Sequence, residues 1–327
     1  MQSLKGVLSS ALLLAVSLFA ALVGGEIVLR LKNRAMNNYD IEMWRYAQEL
    51  KVKSENPEID FDHVKSKSAL LQNVDIRINE WGLRGGPVPA LPNDARRILF
   101  LGGSITLGWG VTEADTIAEQ VQSKFAARGD NVQVLNGGVG NYNTQRYVSR
   151  YFDELAALQP TDIVVQYFLR DAEELPPGGG NVFLRNSQLA VTLWIAYHRL
   201  FDRSGEASLV DHYRAVYQPS AHGFVEMQKQ LAKLAAYAKQ NNVRLFLAMT
   251  PDVHNLTDYK FGFVHEIMRG VGTQLGFTYV DLLPALAGRS PEQLWAMPGD
   301  PHPNALGHHL MADTLFPALG AAGRTAQ

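Results

Sequence analysis

Five short apolar runs, each closing on a polar or glycine-rich loop and each followed by a helix-length segment, constrain this chain most. They are Arg97-Ile-Leu-Phe-Leu-Gly, Asn131-Val-Gln-Val-Leu-Asn, Asp162-Ile-Val-Val-Gln-Tyr-Phe, Val243-Arg-Leu-Phe-Leu-Ala-Met and Phe277-Thr-Tyr-Val-Asp-Leu. Continuous apolar runs of this length suit strands covered on both faces. The intervening segments carry helical periodicity. Ile117, Val121 and Phe125 share one face of a helix that a Thr112-Glu-Ala-Asp capping sequence opens. Phe224, Met227, Leu231, Leu234 and Ala238 share a face of another. Further helices are expected over 144–158, 186–201, 263–275 and 304–319. Alternating strands and helices demand right-handed crossovers. The fold class is therefore α/β, a three-layer doubly wound sandwich around a mostly parallel five-stranded sheet. Ligands of such sheets sit at the carboxyl ends of the strands.

Ahead of this pattern lies a different segment. Val7 to Gly25 is a run of nineteen residues without a charge, close to the roughly 20 residues that span a bilayer as a helix. Val23 and Gly25 match poorly the small-residue rule for signal-peptide cleavage, and Glu26-Ile-Val-Leu-Arg-Leu-Lys continues the helix without a breaker. An uncleaved transmembrane anchor is the reading. Arg30, Lys32 and Arg34 follow the run while only Lys5 precedes it, which by charge bias places the downstream side in the cytoplasm. Residues 35–94 are polar and weakly patterned. The chain divides accordingly into an anchor over 1–34, a juxtamembrane extension over 35–94 that packs on the main domain, and a main domain over 95–322.

Composition narrows the chemistry. Thirty basic and thirty-two acidic residues nearly cancel, so there is no global field for nucleic acid. The absence of cysteine excludes disulfides, iron–sulfur clusters, thiolate metal sites and a cysteine nucleophile. No dinucleotide fingerprint or Walker motif follows the first strand, and Thr106 stands where an α/β-hydrolase elbow needs glycine. No ligand cluster supports a metal at Asp300, His302 and His308. Neither metal nor cofactor is expected.

At the strand ends stand LGGSITLGWG, NGGVGNYNT, QYFLRDAEE and GDPHPNALGHH. Ser104 follows two glycines at the mouth of the first strand, where its hydroxyl can stand clear of the backbone. A serine nucleophile needs a base and oxyanion donors. His302 is the candidate base and Asp300 the group that would orient its ring. His308 and His309 fall within the last helix and read as packing or surface residues.

Four blocks in this order resemble the SGNH hydrolases, or GDSL-like esterases, over roughly residues 95–320. They are Gly102-Gly103-Ser104, NGGVGNYNT, FLRD and DPHPNALGH. The resemblance implies an oxyanion hole in the second and third blocks. Its glycine corresponds to Asn141, with Gly138 and Gly140 nearby, and its asparagine to Arg170. Four positions depart from the family: Gly103 replaces an aspartate, Asn141 replaces the oxyanion glycine, Arg170 replaces asparagine, and Gly299 stands where the triad acid is usual, leaving Asp300 as its replacement. The resemblance implies a serine esterase that hydrolyses small O-acyl esters, chiefly acetyl groups, with an acylated small molecule or carbohydrate of the cell surface as substrate. An O-acetyltransferase using the same residues and a non-catalytic polysaccharide-assembly protein remain alternatives. It also implies a domain facing the periplasm from a bacterial inner membrane, against the charge bias around the anchor.

Overall fold

A computed structural model describes residues 2–91, 95–178, 181–201, 206–298 and 300–322. Helix α1 covers Gln2–Lys32, and α2 covers Tyr39–Glu49, capped by the Asn38 side chain accepting from the Ile41 amide. Two hairpins follow, β1 (Lys51–Lys53) with β2 (Phe61–His63) and β3 (Lys67–Leu71) with β4 (Val74–Ile78). Gln72 and Asn73 turn the second hairpin at φ values of 50° and 60°, the left-handed pair that a two-residue turn between twisted strands requires. The α/β part then runs β5 (Arg96–Gly102), α3 (Ser104–Leu107), α4 (Ile117–Ala127), β6 (Val132–Asn136), α5 (Thr144–Asp153) and β7 (Asp162–Tyr167). It continues through α6 (Val182–Asn186), α7 (Gln188–Phe201), α8 (Glu206–Val216), α9 (His222–Gln240), β8 (Arg244–Met249), α10 (Gly262–Leu275) and β9 (Thr278–Asp281). The chain closes with α11 (Leu283–Leu286), β10 (Trp295–Met297), β11 (Asp300–Pro303) and α12 (Ala305–Ala322).

The central sheet has the order β6-β5-β7-β8-β9, and every neighbouring pair is parallel. In sequence terms that is 2-1-3-4-5, the doubly wound order whose switch point lies between its first and third strands. Here that crevice opens between β5 and β7. Alternate strand residues serve two cores. Leu99, Leu101, Ile163, Val165, Leu247 and Met249 face one helix layer, where Phe224 and Leu231 of α9 and Met268 of α10 meet them. Ile98, Phe100, Val164, Phe246 and Ala248 face the other, packed by Val121 and Phe125 of α4 and Met311 and Leu315 of α12.

Residues 35–91 form a third small core. Tyr46 of α2 and its C-cap Leu50 pack on Ala69, Leu71, Ile76 and Ile78, the inward residues of the β3–β4 hairpin, and on Leu107 and Trp109. The Arg84 backbone bridges Ile78 and Asn136, joining the hairpin to the edge of β6.

Three details differ from the sequence expectation. The helix expected to open at Thr112 begins at Ile117. Thr112 leads one 3-10 turn, and it is the Thr116 hydroxyl that accepts from the Glu119 amide. The helix expected over 144–158 stops at Asp153, and a 3-10 turn follows over Leu155–Leu158. Residues three apart eclipse in that geometry, so Leu155 and Leu158 enter the core together. The stretch before α12, expected as a loop, contains the antiparallel β10–β11 hairpin.

Candidate active site

The turn after β5 is built for a close approach. A Cβ at Gly102 would lie 2.1 Å from Thr106 Oγ1 and 2.8 Å from the Gln166 carbonyl. Gly103 caps α3 with φ −90° and ψ −146°, and Gly108 ends it at φ 78°. Ser104 is therefore the first residue of a one-turn helix at the sheet edge, its side chain partly exposed. Behind it the buried Arg84 guanidinium donates to the carbonyls of Leu107 and Val111 at 2.6 Å each and to that of Gly108. Leu107 and the cap Gly108, at the end of α3, are orphan acceptors of a helix end, and Val111 lies in the loop beyond. Burial pushes the Arg84 guanidinium down to about 10, which leaves it charged at neutral pH.

His302 comes from the opposite end of the chain. It sits in β11, just ahead of Asn304, whose side chain accepts from the Gly307 amide at the start of α12. The Asn304 amide donates to the Leu294 carbonyl at 2.7 Å. These bonds hold the histidine over the sheet edge. Ser104 Oγ and His302 Nε2 are 2.7 Å apart across 198 residues of sequence, within hydrogen-bond reach of a nucleophile and its base. Asp300 lies in the same strand. Its side chain, like Gly299, falls outside the described residues.

The loop after β6 is held from the extension. The Gly140 amide donates to Tyr46 Oη at 2.8 Å, and Tyr46 Oη lies 2.7 Å from His63 Nε2. His63 Nδ1 is 2.8 Å from the Gly82 carbonyl. A carbonyl only accepts, so His63 carries its proton on Nδ1, Tyr46 donates to Nε2, and the hydroxyl oxygen is left to accept from Gly140. Burial and the Arg150 cation push His63 down to about 3, so the chain of bonds holds a neutral imidazole. The Gly138 amide is also committed, to Asn136 Oδ1 at 3.0 Å. Asn141 borders the site with φ at 61°, a left-handed conformation that asparagine tolerates.

A cavity of roughly 440 Å³ opens in front of Ser104 and His302. Arg170 borders it, half exposed, with Nε 3.2 Å from Glu173 Oε2. Asp171 is turned inward, accepting from the Phe168 amide, and burial raises its carboxyl to about 8. The arginine's partner is thus Glu173.

Four further residues on the cavity were not singled out in the sequence. Tyr39, from the first turn of α2, lies with its ring centroid 5.8 Å from that of His302. Gln166, on β7, is buried, and among the described residues neither its Nε2 nor its Oε1 has a hydrogen-bond partner. Asp252 and His254 follow β8, with His254 Nδ1 2.9 Å from each carboxylate oxygen. Asp252-Val-His254 has the spacing of Asp300-Pro-His302, the one sequence signal that marked it. His308 is buried beneath the site and accepts from the Ile117 amide through Nδ1. Burial pushes it to about 3, a neutral packing residue. His309 is on the surface beside Asp313.

No family model matches the chain, and no curated protein matches it. Several solved structures resemble it. TesA is 15% identical with a TM-score of 0.44, covering 69% of this chain and 99% of its own. The acetyl xylan esterase AlAXEase is 17% identical at a TM-score of 0.43, over 68% and 99%. A catalytic mutant of Axe2, an acetylxylan esterase from Geobacillus stearothermophilus, is 15% identical at 0.47, over 71% and 97%. At this degree of likeness the site is read from the chain's own residues.

Proposed function

We propose that the chain is a serine esterase of the SGNH type, and that Ser104 and His302 carry its chemistry. The observation that carries this reading is the 2.7 Å contact between Ser104 Oγ and His302 Nε2 at the switch point of a parallel sheet, facing a cavity. His302 Nε2 accepts the Ser104 proton as Oγ attacks the acyl carbonyl, then returns it to the leaving alkoxide as the alcohol departs. Water, deprotonated by the same nitrogen, releases the carboxylic acid. Asp300 is assigned the orienting role at Nδ1. The first amide of α3 and the amide of Asn141 are assigned to the developing oxyanion, since those of Gly138 and Gly140 are committed elsewhere. One such donor is worth about 3–4 kcal/mol of transition-state stabilisation. Gln166 is assigned to the substrate, because a buried carboxamide with both ends unpartnered among the described residues costs stability unless a ligand meets it.

The substrate we assign is a small acyl ester, most simply an acetyl group on a carbohydrate. The cavity supports this reading, being large enough for a sugar ring and bordered by Arg170, His254 and Tyr39. An anchor in the membrane belongs to the same proposal. Among the described residues one helix, Gly6–Ala35, is long and apolar enough to cross a bilayer, with mean hydropathy 2.4 in its most apolar window and none of that window buried.

Ser104→Ala tests the reading. Labelling by a fluorophosphonate and hydrolysis of p-nitrophenyl acetate should both disappear while the melting temperature holds. A labelled, active Ser104→Ala chain would remove the serine from the chemistry.

A further inference from the structure

Helix α7 carries two apolar faces. Val191 and Ile195 point toward α2, where they border a cleft with Met43 and Trp44. A second stripe faces solvent: Leu193, Trp194, Tyr197 and Leu200 are each 52–78% exposed, with Trp194 at the rim of the same cleft. At 100° per residue these four fall within about 120° of one another, a single face. Val182 and Phe183 of the preceding α6 are more than 70% exposed as well. So large an apolar surface marks an interaction site on a folded protein.

The place of this face along α1 identifies its occupant. Glu26 is the first charge after the uncharged Val7–Gly25 run. Its carboxylate accepts from Ser187 Oγ at 2.9 Å and from the amides of Gln188 and Leu189 at 3.1 and 2.9 Å. Those are the unsatisfied donors at the start of α7. Arg30 donates to the Asn186 carbonyl and Asn33, just past the end of α1, to Gln188 Oε1, so two successive turns of this segment grip the same point. A Cβ on Gly25 would contact Leu189 at an ordinary 3.4 Å. The start of α7 is therefore locked to α1 at the residue where the bilayer-length run ends. That is headgroup depth, where tryptophan and tyrosine concentrate.

We propose that α6 and α7 lie on the lipid bilayer, their open stripe embedded at the interface beside the α1 span. This rests on the anchor reading above and is independent of the esterase chemistry. The geometry is that of an interfacial amphipathic helix, docked at its N-terminus by a transmembrane helix rather than held by its own affinity alone.

The absence of cysteine makes the full chain directly testable. Single variants Leu14→Cys, Leu193→Cys, Leu200→Cys and Lys239→Cys would carry a nitroxide label in vesicles of phosphatidylcholine and phosphatidylglycerol. Each labelled chain is first checked for an unchanged melting temperature. The labels at 193 and 200 should lose accessibility to an aqueous nickel chelate and gain accessibility to oxygen, as the Leu14 label does. The label at Lys239, on the exposed end of α9, should stay open to the chelate. Aqueous labels on α7 beside a lipid-embedded Leu14 label would overturn the proposal and leave the anchor standing. An aqueous Leu14 label would overturn both. Labels on α7 that are shielded but show mutual spin broadening, lost on dilution with unlabelled chain, would place a second copy on this face and overturn the lipid assignment. Hydrolysis of p-nitrophenyl acetate, measured alongside, reports on the esterase reading separately.

Discussion

Tyr46→Phe should cost far more than one hydroxyl suggests. In the intact protein that hydroxyl is the middle of a chain of bonds running from Gly140 through Tyr46 to His63 and Gly82. Tyr46 is 1% exposed and His63 2%. Phenylalanine fills the same space, so no cavity arises. Two buried groups are stranded instead, the Gly140 amide and His63 Nε2. Each unsatisfied buried group costs about 1–3 kcal/mol, giving a loss of about 2–6 kcal/mol. The cost falls on a loop that borders the cavity in front of Ser104, since Asn141 follows Gly140. The variant should therefore lose kcat on p-nitrophenyl acetate as well as stability. Heat unfolding of the detergent-solubilised chain, followed by tryptophan fluorescence, reads the first quantity and steady-state kinetics the second. A loss of under about 0.5 kcal/mol, the size expected at an ordinary surface site, together with unchanged kcat, would refute the bond chain as a determinant of the loop.

Other expectations follow from the same contacts. His63 and His308 are each held down to about 3 against an ordinary 6.5. The unfolded chain takes up their protons first, so the stability they protect is complete above about pH 6.5 and is lost as pH falls toward 3; an acid titration of the melting temperature checks the slope. Asp171 behaves oppositely. Its carboxyl is raised to about 8 from 3.8, so its contribution is intact below about pH 4 and lost as pH rises through 8. Asp171→Asn, neutral at every pH, should remove that slope, flattening the stability–pH curve between about pH 4 and 8. Arg170→Asn should keep or raise kcat/KM on neutral acetyl esters, and Arg170→Ala should lower it; identical kinetics in both would confine Arg170 to its ion pair with Glu173. Gln166→Leu should leave the fold as stable or more so, because it removes two unpartnered buried atoms. It should also raise KM for acetylated sugars; an unchanged KM would take Gln166 out of substrate binding.

The strands and the turn at Ser104 were legible because local chemistry dictates them. Five apolar runs have no alternative but a covered sheet, and Gly102-Gly103-Ser104 announces a tight turn wherever it falls. His302 was legible because proline, asparagine and a helix start surround it. What lay hidden is held by partners far away in sequence. Tyr46 meets Gly140 across 94 residues, and Arg84 meets Val111 across 27. Residues 35–91 looked weakly patterned because their strands are three to five residues long, too short for period-two alternation to stand out. Gln166 sits inside an apolar run, where nothing local says that its amide lacks a partner. Thr112 and Thr116 each offer a helix cap, and only the burial of Ile117 chooses between them.

Arg84 bears on where this protein begins as a working unit. The turn that presents Ser104 ends in three carbonyls gathered by one guanidinium that the chain supplies upstream of β5. Synthesis runs from the amino terminus, so Arg84 has left the ribosome before the turn it secures, and the clamp is waiting when the serine arrives. The converse concerns transplantation. A fragment starting at β5 retains the whole parallel sheet, Ser104 and His302, but lacks the cation behind the turn. Grafted elsewhere, it should fold into a sheet with a slack serine, because here the scaffold and the part that tensions it are written in that order along one chain.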